Sequence, residues 1–436
     1  MLLKLIIKNF RSYKDKAEFS FEGLNNNALE NNYDDVHLNN GKTVRVLHSA
    51  VILGANASGK SNVIWALDSV SYMIKSSRNF DYQKGKGVLP YMPFAFDEVT
   101  IYQPSEITVE VVTKGNIYHY YIQYSREWII SEKLSIIDDN DEILVFSVSR
   151  DNKGNGKIIQ GTGFDSRKIN LTSMELLPNH LLLSELGTKP VGDILEVYNE
   201  LSSMQCEPIG DSINLKRRND NVADQILFNE GSTLFKRLVK LVRIADLGIK
   251  DLKMKQEEAE DDDILQNRFG TKGHSWTVQA MHLGIKKDKK IIEMKVPFDN
   301  FESVGTNYLF SLGARVLQVL ETGGILVYDE MNLALHPDLL RLLVQMFNNP
   351  TSNPKHAQLV FTTHDASIVG DNLMRVDQIW FSEKDNMGAS QLFSVQDFEG
   401  ISILAPVEQW YRAGRFGAKP HLQAIDYIFS EEDENE

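Results

Sequence analysis

The sequence predicts an α/β fold in which a sheet closes over a phosphate-binding loop, joined to an antiparallel β-meander and a mostly helical insertion. Three observations carry this expectation. An apolar run, Ala50–Leu53, leads straight into Gly54-Ala55-Asn56-Ala57-Ser58-Gly59-Lys60-Ser61, which fits the P-loop pattern G-x-x-x-x-G-K-[ST] at every fixed position. Residues 105–160 hold successive β-branched and aromatic runs broken by turn signals. Residues 304–381 alternate helical spacing with short, continuously apolar runs, the pattern of strands covered on both faces.

Taken in order, residues 2–10 are apolar and end in Asn9-Phe10-Arg11-Ser12-Tyr13, and a second short strand, 17–21, places Phe19 and Phe21 on one face. Residues 24–41 are rich in Asn and Asp without periodicity, which predicts a loop or partly mobile insertion. Beyond the glycine loop, Val63, Ile64, Ala66, Leu67 and Val70 recur at helical spacing. Strand, glycine loop and helix therefore follow in the order that turns backbone N–H groups and the positive helix end onto an anion. Residues 1–104 are expected to form the first part of this lobe.

The meander is expected over 105–164, with turns at Lys114-Gly115-Asn116 and Asp138-Asp139-Asn140. Across 165–295 apolar residues fall at helical spacing in short blocks limited by Pro178 and Pro190. A helix is expected over 228–245 with Lys236, Arg237, Lys240 and Arg243 on its outer side, and Lys286–Lys290 read as a hairpin tip. No apolar heptads persist, so no long coiled coil is expected. Residues 296–436 return to the α/β lobe: a helix over 304–321, a buried strand over 325–328, a helix over 338–347, and strands at 358–363 and 376–381.

Bulk properties narrow the class. A 436-residue chain with 42% hydrophobic and 24% charged residues is an ordinary globular protein of two or three lobes. The one cysteine, Cys206, excludes a disulfide framework and a cysteine-based zinc site and suits the cytoplasm. No run approaches the roughly 18 apolar residues of a membrane span. Met1–Phe10, carrying Lys4 and Lys8 with no cleavage site behind it, reads as a strand rather than a signal peptide. The net charge is −14, but eleven acids lie in two runs, 257–263 and 431–436, expected to be solvated or disordered. The remainder is close to neutral, so charge neither favours nor excludes nucleic acid.

The chemistry is expected at strand ends. Gly54, Asn56, Ser58, Gly59 and Asn62 belong to the phosphate cradle, Lys60 reaches the β- and γ-phosphates, and Ser61 ligates Mg²⁺. Asp329-Glu330 directly follows the strand 325–328, which suits Asp329 to the metal shell and Glu330 to polarising a water as general base. His364, behind the strand 358–363, is placed to donate to a γ-phosphate and report its presence. Ser303-Val304-Gly305-Thr306 opens a helix, where the Ser303 hydroxyl and the Gly305 amide make a second anion site. One chain needs a single phosphate site per nucleotide. A head-to-tail pair in which each serine loop covers the other's ATP is the economical explanation.

These motifs resemble those of ABC-type ATPases. Gly54–Ser61, Ser303–Thr306, Asp329-Glu330 with Leu335-His336-Pro337, and Thr363-His364 look like Walker A, signature, Walker B, D-loop region and H-switch. Asn9-Phe10-Arg11-Ser12 and the Asp-Glu-x-x-x-x-Leu-His-Pro string are similar to the RecF/SMC-like branch rather than to transporters. Within that branch the chain resembles the compact ATPases of bacterial anti-phage systems: the RloA- and AbiL-type abortive-infection proteins and the ATPase subunits of Septu and PARIS. The segment Tyr411-Arg-Ala-Gly-Arg-Phe-Gly-Ala-Lys-Pro420 is like one of the RloA type.

The resemblance implies an ABC/SMC-type P-loop ATPase head that hydrolyses ATP slowly with Mg²⁺. It further implies a homodimer or higher homo-oligomer built through composite ATP sites, a separate nuclease or toxin effector, and a nucleotide contact for Arg11. A RecF-like DNA-repair ATPase that clamps DNA is the alternative, to which Lys236, Arg237, Lys240, Arg243 and Lys286–Lys290 would contribute. Met331 and Asn332 depart from the Asp-Glu-Pro-Glu form of Walker B, and the signature reads Ser-Val-Gly rather than Ser-Gly-Gly.

Overall fold

The computed structural model describes residues 1–83, 89–139, 141–151, 154–164, 169–208, 231–245, 248–258, 274–402 and 405–419. A six-stranded sheet forms the centre. The P-loop strand Ser49–Leu53 pairs in parallel with Gln358–Thr362 on one side and Ile379–Lys384 on the other. Ile325–Tyr328 lies beyond Gln358–Thr362, and Gln205–Glu207 beyond that, while Ser390–Ser394 closes the opposite edge antiparallel. All five residues of Ser49–Leu53 are buried. Ala50 and Ile52 face one apolar core, Val51 and Leu53 the other, which is why this strand reads as a continuous apolar run.

The strand order places the chemistry. Ile325–Tyr328, which ends in Asp329-Glu330, stands two strands from the P-loop strand, roughly 10 Å away at ordinary strand spacing. The strand between them, Gln358–Thr362, delivers its own end into the gap.

The helix Lys60–Ser76 leaves the loop with Gly59 at its N-cap, φ 112°. It buries Val63, Ile64, Leu67, Val70, Met73 and Ile74, each worth about 1.5–3 kcal/mol of apolar burial. These side chains share a core with the other large sheet, seven strands in the order Gly156–Gln160, Asp141–Arg150, Ile129–Asp138, Asn116–Tyr124, Ser105–Thr113, Leu2–Lys8 and Ala17–Ser20. Lys114 and Gly115 turn its hairpin with φ values of 51° and 74°, the paired positive angles of a two-residue turn suited to strand twist. Gln358 joins the two sheets: its Oε1 accepts from Leu2 N at 2.6 Å, and its Nε2 donates to the Leu2 and Leu47 carbonyls at 2.9 and 3.0 Å.

Two sequence expectations need correction. Residues 24–41, read as a loop, contain the strand Tyr33–His37, which pairs antiparallel with Thr43–Leu47. It is held by one neighbour within the hairpin and one far along the chain. Arg45 forms a two-point ion pair with Asp35 and lies 3.8 Å from the Tyr33 ring centre. The buried Arg375, paired with Asp377, donates to the carbonyls of Leu24, Asn26 and Ala28 and so fixes the preceding turn.

Residues 165–295, read as mostly helical, do contain the helices Leu182–Leu186, Gly192–Ser202 and Thr233–Ala245. They also contain a three-stranded antiparallel sheet, Asp251–Glu258, His274–Ile285 and Ile291–Pro297, whose last strand runs past 295. Within it Val278 and Ala280 are buried while Thr277 and Gln279 are not, a two-residue period easily lost beside charged neighbours. Lys286–Lys290 form the hairpin turn, closed by a bond from Lys286 N to Lys290 O of 3.0 Å. The acidic run is described only through Glu258, and the tail 431–436 and Pro420 lie outside the described residues. Among the described residues no helix is long and apolar enough to cross a membrane.

Candidate nucleotide site

The loop Gly54–Ser61 is shaped by glycine geometry and by a seat of hydroxyl groups. Gly54 and Gly59 have φ values of 154° and 112°. A Cβ on Gly54 would meet the Ser382 carbonyl at 2.3 Å, and one on Gly59 would meet Ser390 Oγ at 2.4 Å, so neither position admits a side chain. Behind the loop, Ser382 Oγ and Ser390 Oγ both donate to the Ser58 carbonyl, at 2.9 and 2.6 Å. Tyr13 donates to the Gly59 carbonyl at 3.3 Å. Ser12 Oγ accepts from Asn62 Nδ2 and lies within hydrogen-bonding distance of Ser390 Oγ, each at 2.6 Å. Sequence reasoning missed Tyr13, Ser382 and Ser390, because small polar residues scattered over three segments leave no local pattern. Ser12, inside the Asn-Phe-Arg-Ser opening, was the one available signal.

The Asn62 side chain donates to Ser12 Oγ and so ties the start of the helix to the segment after the first strand. Asn56 is exposed, and the buried Ser58 Oγ has no hydrogen-bond partner. Lys60 is buried and donates to the Gly54 and Ala55 carbonyls at 3.0 and 2.8 Å. Burial lowers its pKa to about 8, opposed by the nearby charges of Glu330 and Asp329.

The strand ends converge as the topology dictates. Ser61 Oγ donates to Asp329 Oδ1 at 3.1 Å, joining Walker A to Walker B. Thr362, from the intervening strand, donates its hydroxyl to the same Oδ1 at 2.5 Å and accepts from Glu330 N at 2.7 Å. Asp329 Oδ2 is buried and has no protein partner. An orphaned carboxylate oxygen beside a serine hydroxyl is a donor set of hard oxygens, which fits Mg²⁺. Glu330 sits in the left-handed region at φ 48°, with its carbonyl accepting from Tyr308 Oη at 3.2 Å. His364 Nε2 stands 3.6 Å from Glu330 Oε1. Burial, then the Lys60 charge, lowers the His364 pKa, which favours a neutral ring with a single donor.

The Walker B departures are absorbed locally. Met331 N donates to the Thr362 carbonyl at 3.0 Å, a bond that proline could not make. Asn332 Oδ1 accepts from His364 N at 3.4 Å, so it holds the backbone at His364.

Ser303 and Gly305 do not line the cavity that opens over Gly54–Ser58. Ser303 is exposed and caps the helix Val304–Thr322, accepting from Thr306 N at 3.1 Å. A Cβ on Gly305 would stand 2.7 Å from the Ala334 carbonyl, so glycine there permits close packing against the D-loop region. Phe301, Val304 and Leu333 are exposed apolar neighbours in sequence of these two loops. Arg11 stacks over Trp65 of the P-loop helix at 4.5 Å, and its buried Nε has no partner.

A cavity of about 500 Å³ opens over the loop, lined by Gly54 to Ser58, His364 and Ser382 to Lys384, and also by Tyr411, Ala418 and Lys419. The closing motif thus borders the nucleotide loop. Tyr411 stacks on Phe381 at 5.0 Å between ring centres and donates to the Ala418 carbonyl, while Ala418 N donates to Glu383.

Fold and site together define a P-loop domain of the AAA class. The chain belongs to the family described as "AAA domain, putative AbiEii toxin, Type IV TA system", whose profile matches residues 49–370. Among solved structures it is similar to the SMC head domain from Thermotoga maritima, with a TM-score of 0.38 and 12% identity over 90% of this chain and 98% of that one. It is also similar to the Smc head domain with an extended coiled coil, bound to the C-terminal domain of ScpA, from Pyrococcus furiosus. That match has a TM-score of 0.39 and 12% identity over 95% and 98% of the two chains. No curated protein matches.

Proposed function

We propose that the protein binds and slowly hydrolyses ATP in the cytoplasm, and that ATP-dependent pairing of two copies controls a separate nuclease or toxin effector in an abortive-infection response to phage. The observation that carries the ATPase reading is the chain Ser61–Asp329–Thr362–Glu330, with one orphaned buried oxygen on Asp329. Ser61 and Asp329 would hold Mg²⁺, which when bound neutralises charge on the β- and γ-phosphates. Lys60 exchanges its two carbonyl partners for phosphate oxygens. Glu330 accepts a proton from the attacking water, and neutral His364 donates toward the γ-phosphate. Arg11, poised over Trp65, lies at the edge of this helix for a further nucleotide contact.

Pairing is supported by the exposed Ser303, which does not line the cavity over its own chain's loop, and by the exposed apolar Phe301, Val304 and Leu333. The family's description as an AAA domain of putative AbiEii-toxin type supports the link to growth arrest. Mass measurement of the full chain is expected to give a monomer without nucleotide and a dimer with ATP and Mg²⁺. An unchanged mass would remove the composite site. Co-purification with the product of the adjacent reading frame tests the effector, and no co-elution with or without ATP would count against it.

A second reading, DNA clamping, is supported by one arrangement: Lys236, Arg237, Lys240 and Arg243 are all exposed on the helix Thr233–Ala245, and Lys286–Lys290 form an exposed turn. It requires ATP-dependent duplex binding that weakens steeply with salt. Binding that is absent or indifferent to salt would exclude it.

A further inference from the structure

A second cluster of ligating side chains lies at the opposite end of the central sheet from the nucleotide loop. Asp34 comes from the strand Tyr33–His37, His48 directly precedes the P-loop strand, and His356 stands two residues before the strand Gln358–Thr362. His48 Nε2 is 2.7 Å and His356 Nδ1 2.6 Å from the same oxygen, Asp34 Oδ2. One ligand atom from each of the three residues lies within 4.8 Å of the others.

We propose that Asp34, His48 and His356 bind a zinc-class divalent transition-metal ion that ties together the roots of the two strands carrying the P-loop and the H-switch. Two imidazoles and a carboxylate are the donor set that suits zinc, with a water completing four coordination. Metal–ligand distances of about 2.0–2.2 Å require only small outward shifts of the three side chains to admit an ion between them.

The surroundings are arranged as they are around metal-ligating histidines. His48 is buried, and its Nδ1 lies 3.0 Å from the Asn31 carbonyl. A carbonyl can only accept, so Nδ1 carries the proton and Nε2 is the atom turned to the cluster. His356 is set by Asn353, whose side chain donates to the Phe347 and Ala357 carbonyls and accepts from Ala357 N. The His356 side chain is 55% exposed, which leaves an entry path from solvent. The five residues of Ser49–Leu53, roughly 16 Å long, separate this site from the P-loop, so it is independent of the Mg²⁺ position at Asp329.

The test uses the full chain, stripped with a chelator, dialysed against zinc chloride, desalted and analysed for bound metal. One zinc per chain is expected in the wild type and in Asp329→Ala, and none in His356→Ala or Asp34→Asn. Because His356 is exposed, His356→Ala keeps its fold, which circular dichroism verifies. Cobalt in place of zinc should give the visible absorption of a four-coordinate ion, lost in His356→Ala. Wild-type protein that retains no zinc, or His356→Ala that retains it undiminished, would overturn the proposal.

Discussion

Glu330→Gln is expected to cut ATP turnover roughly 10²–10⁴-fold, the usual worth of a positioned general base, while leaving ATP bound. The substitution is close to isosteric, and the backbone at this position is held without the carboxylate. Thr362 Oγ1 accepts from Glu330 N, and Tyr308 donates to the Glu330 carbonyl. Asp329, Ser61 and Lys60 keep their places, so phosphate binding survives. The variant should therefore collect as the ATP-bound dimer and persist as such for far longer than the wild type. Single-turnover hydrolysis together with light scattering would check both halves. Undiminished hydrolysis would remove Glu330 from the role of base.

Lys60→Ala should act one step earlier, weakening ATP binding about 100-fold or more and abolishing pairing altogether. A charged lysine contributes one or more charge-assisted bonds to phosphate, each worth about 1.5–3 kcal/mol. The same residue gives binding a pH dependence. In the free protein Lys60 loses its proton above about pH 8. Phosphate oxygens favour the charged form, so the complex keeps the proton to higher pH and binding takes one up. Affinity for a non-hydrolysable ATP analogue should hold below pH 8 and fall by up to about tenfold per unit above it. Calorimetric titration between pH 7 and 9.5 would show this. Binding by Lys60→Ala within threefold of wild type would contradict the assignment.

The nucleotide motifs were legible because each is contiguous and sits at a strand end. The P-loop, Asp329-Glu330 and His364 needed only short windows of sequence, and parallel pairing of Ser49–Leu53, Gln358–Thr362 and Ile325–Tyr328 in one sheet brings their ends together. What escaped was whatever depends on distant partners. The turn before the strand Tyr33–His37 holds through Arg375, some 350 positions away in the chain. The hydroxyl seat behind the loop draws on Ser12, Tyr13, Ser382 and Ser390, none of them distinctive alone. In 251–297 a two-residue period is spread over strands with many charged residues, and helical blocks before it biased the reading.

The left-handed backbone at Glu330 sets stability against activity at a single codon. An ordinary side chain held at φ 48° costs about 1 kcal/mol or more, and glycine would relieve that cost. A screen that rewards thermal tolerance alone should therefore recover Glu330→Gly, a hardier protein that has lost its base. Selection that retains glutamate here would be keeping turnover at the expense of robustness.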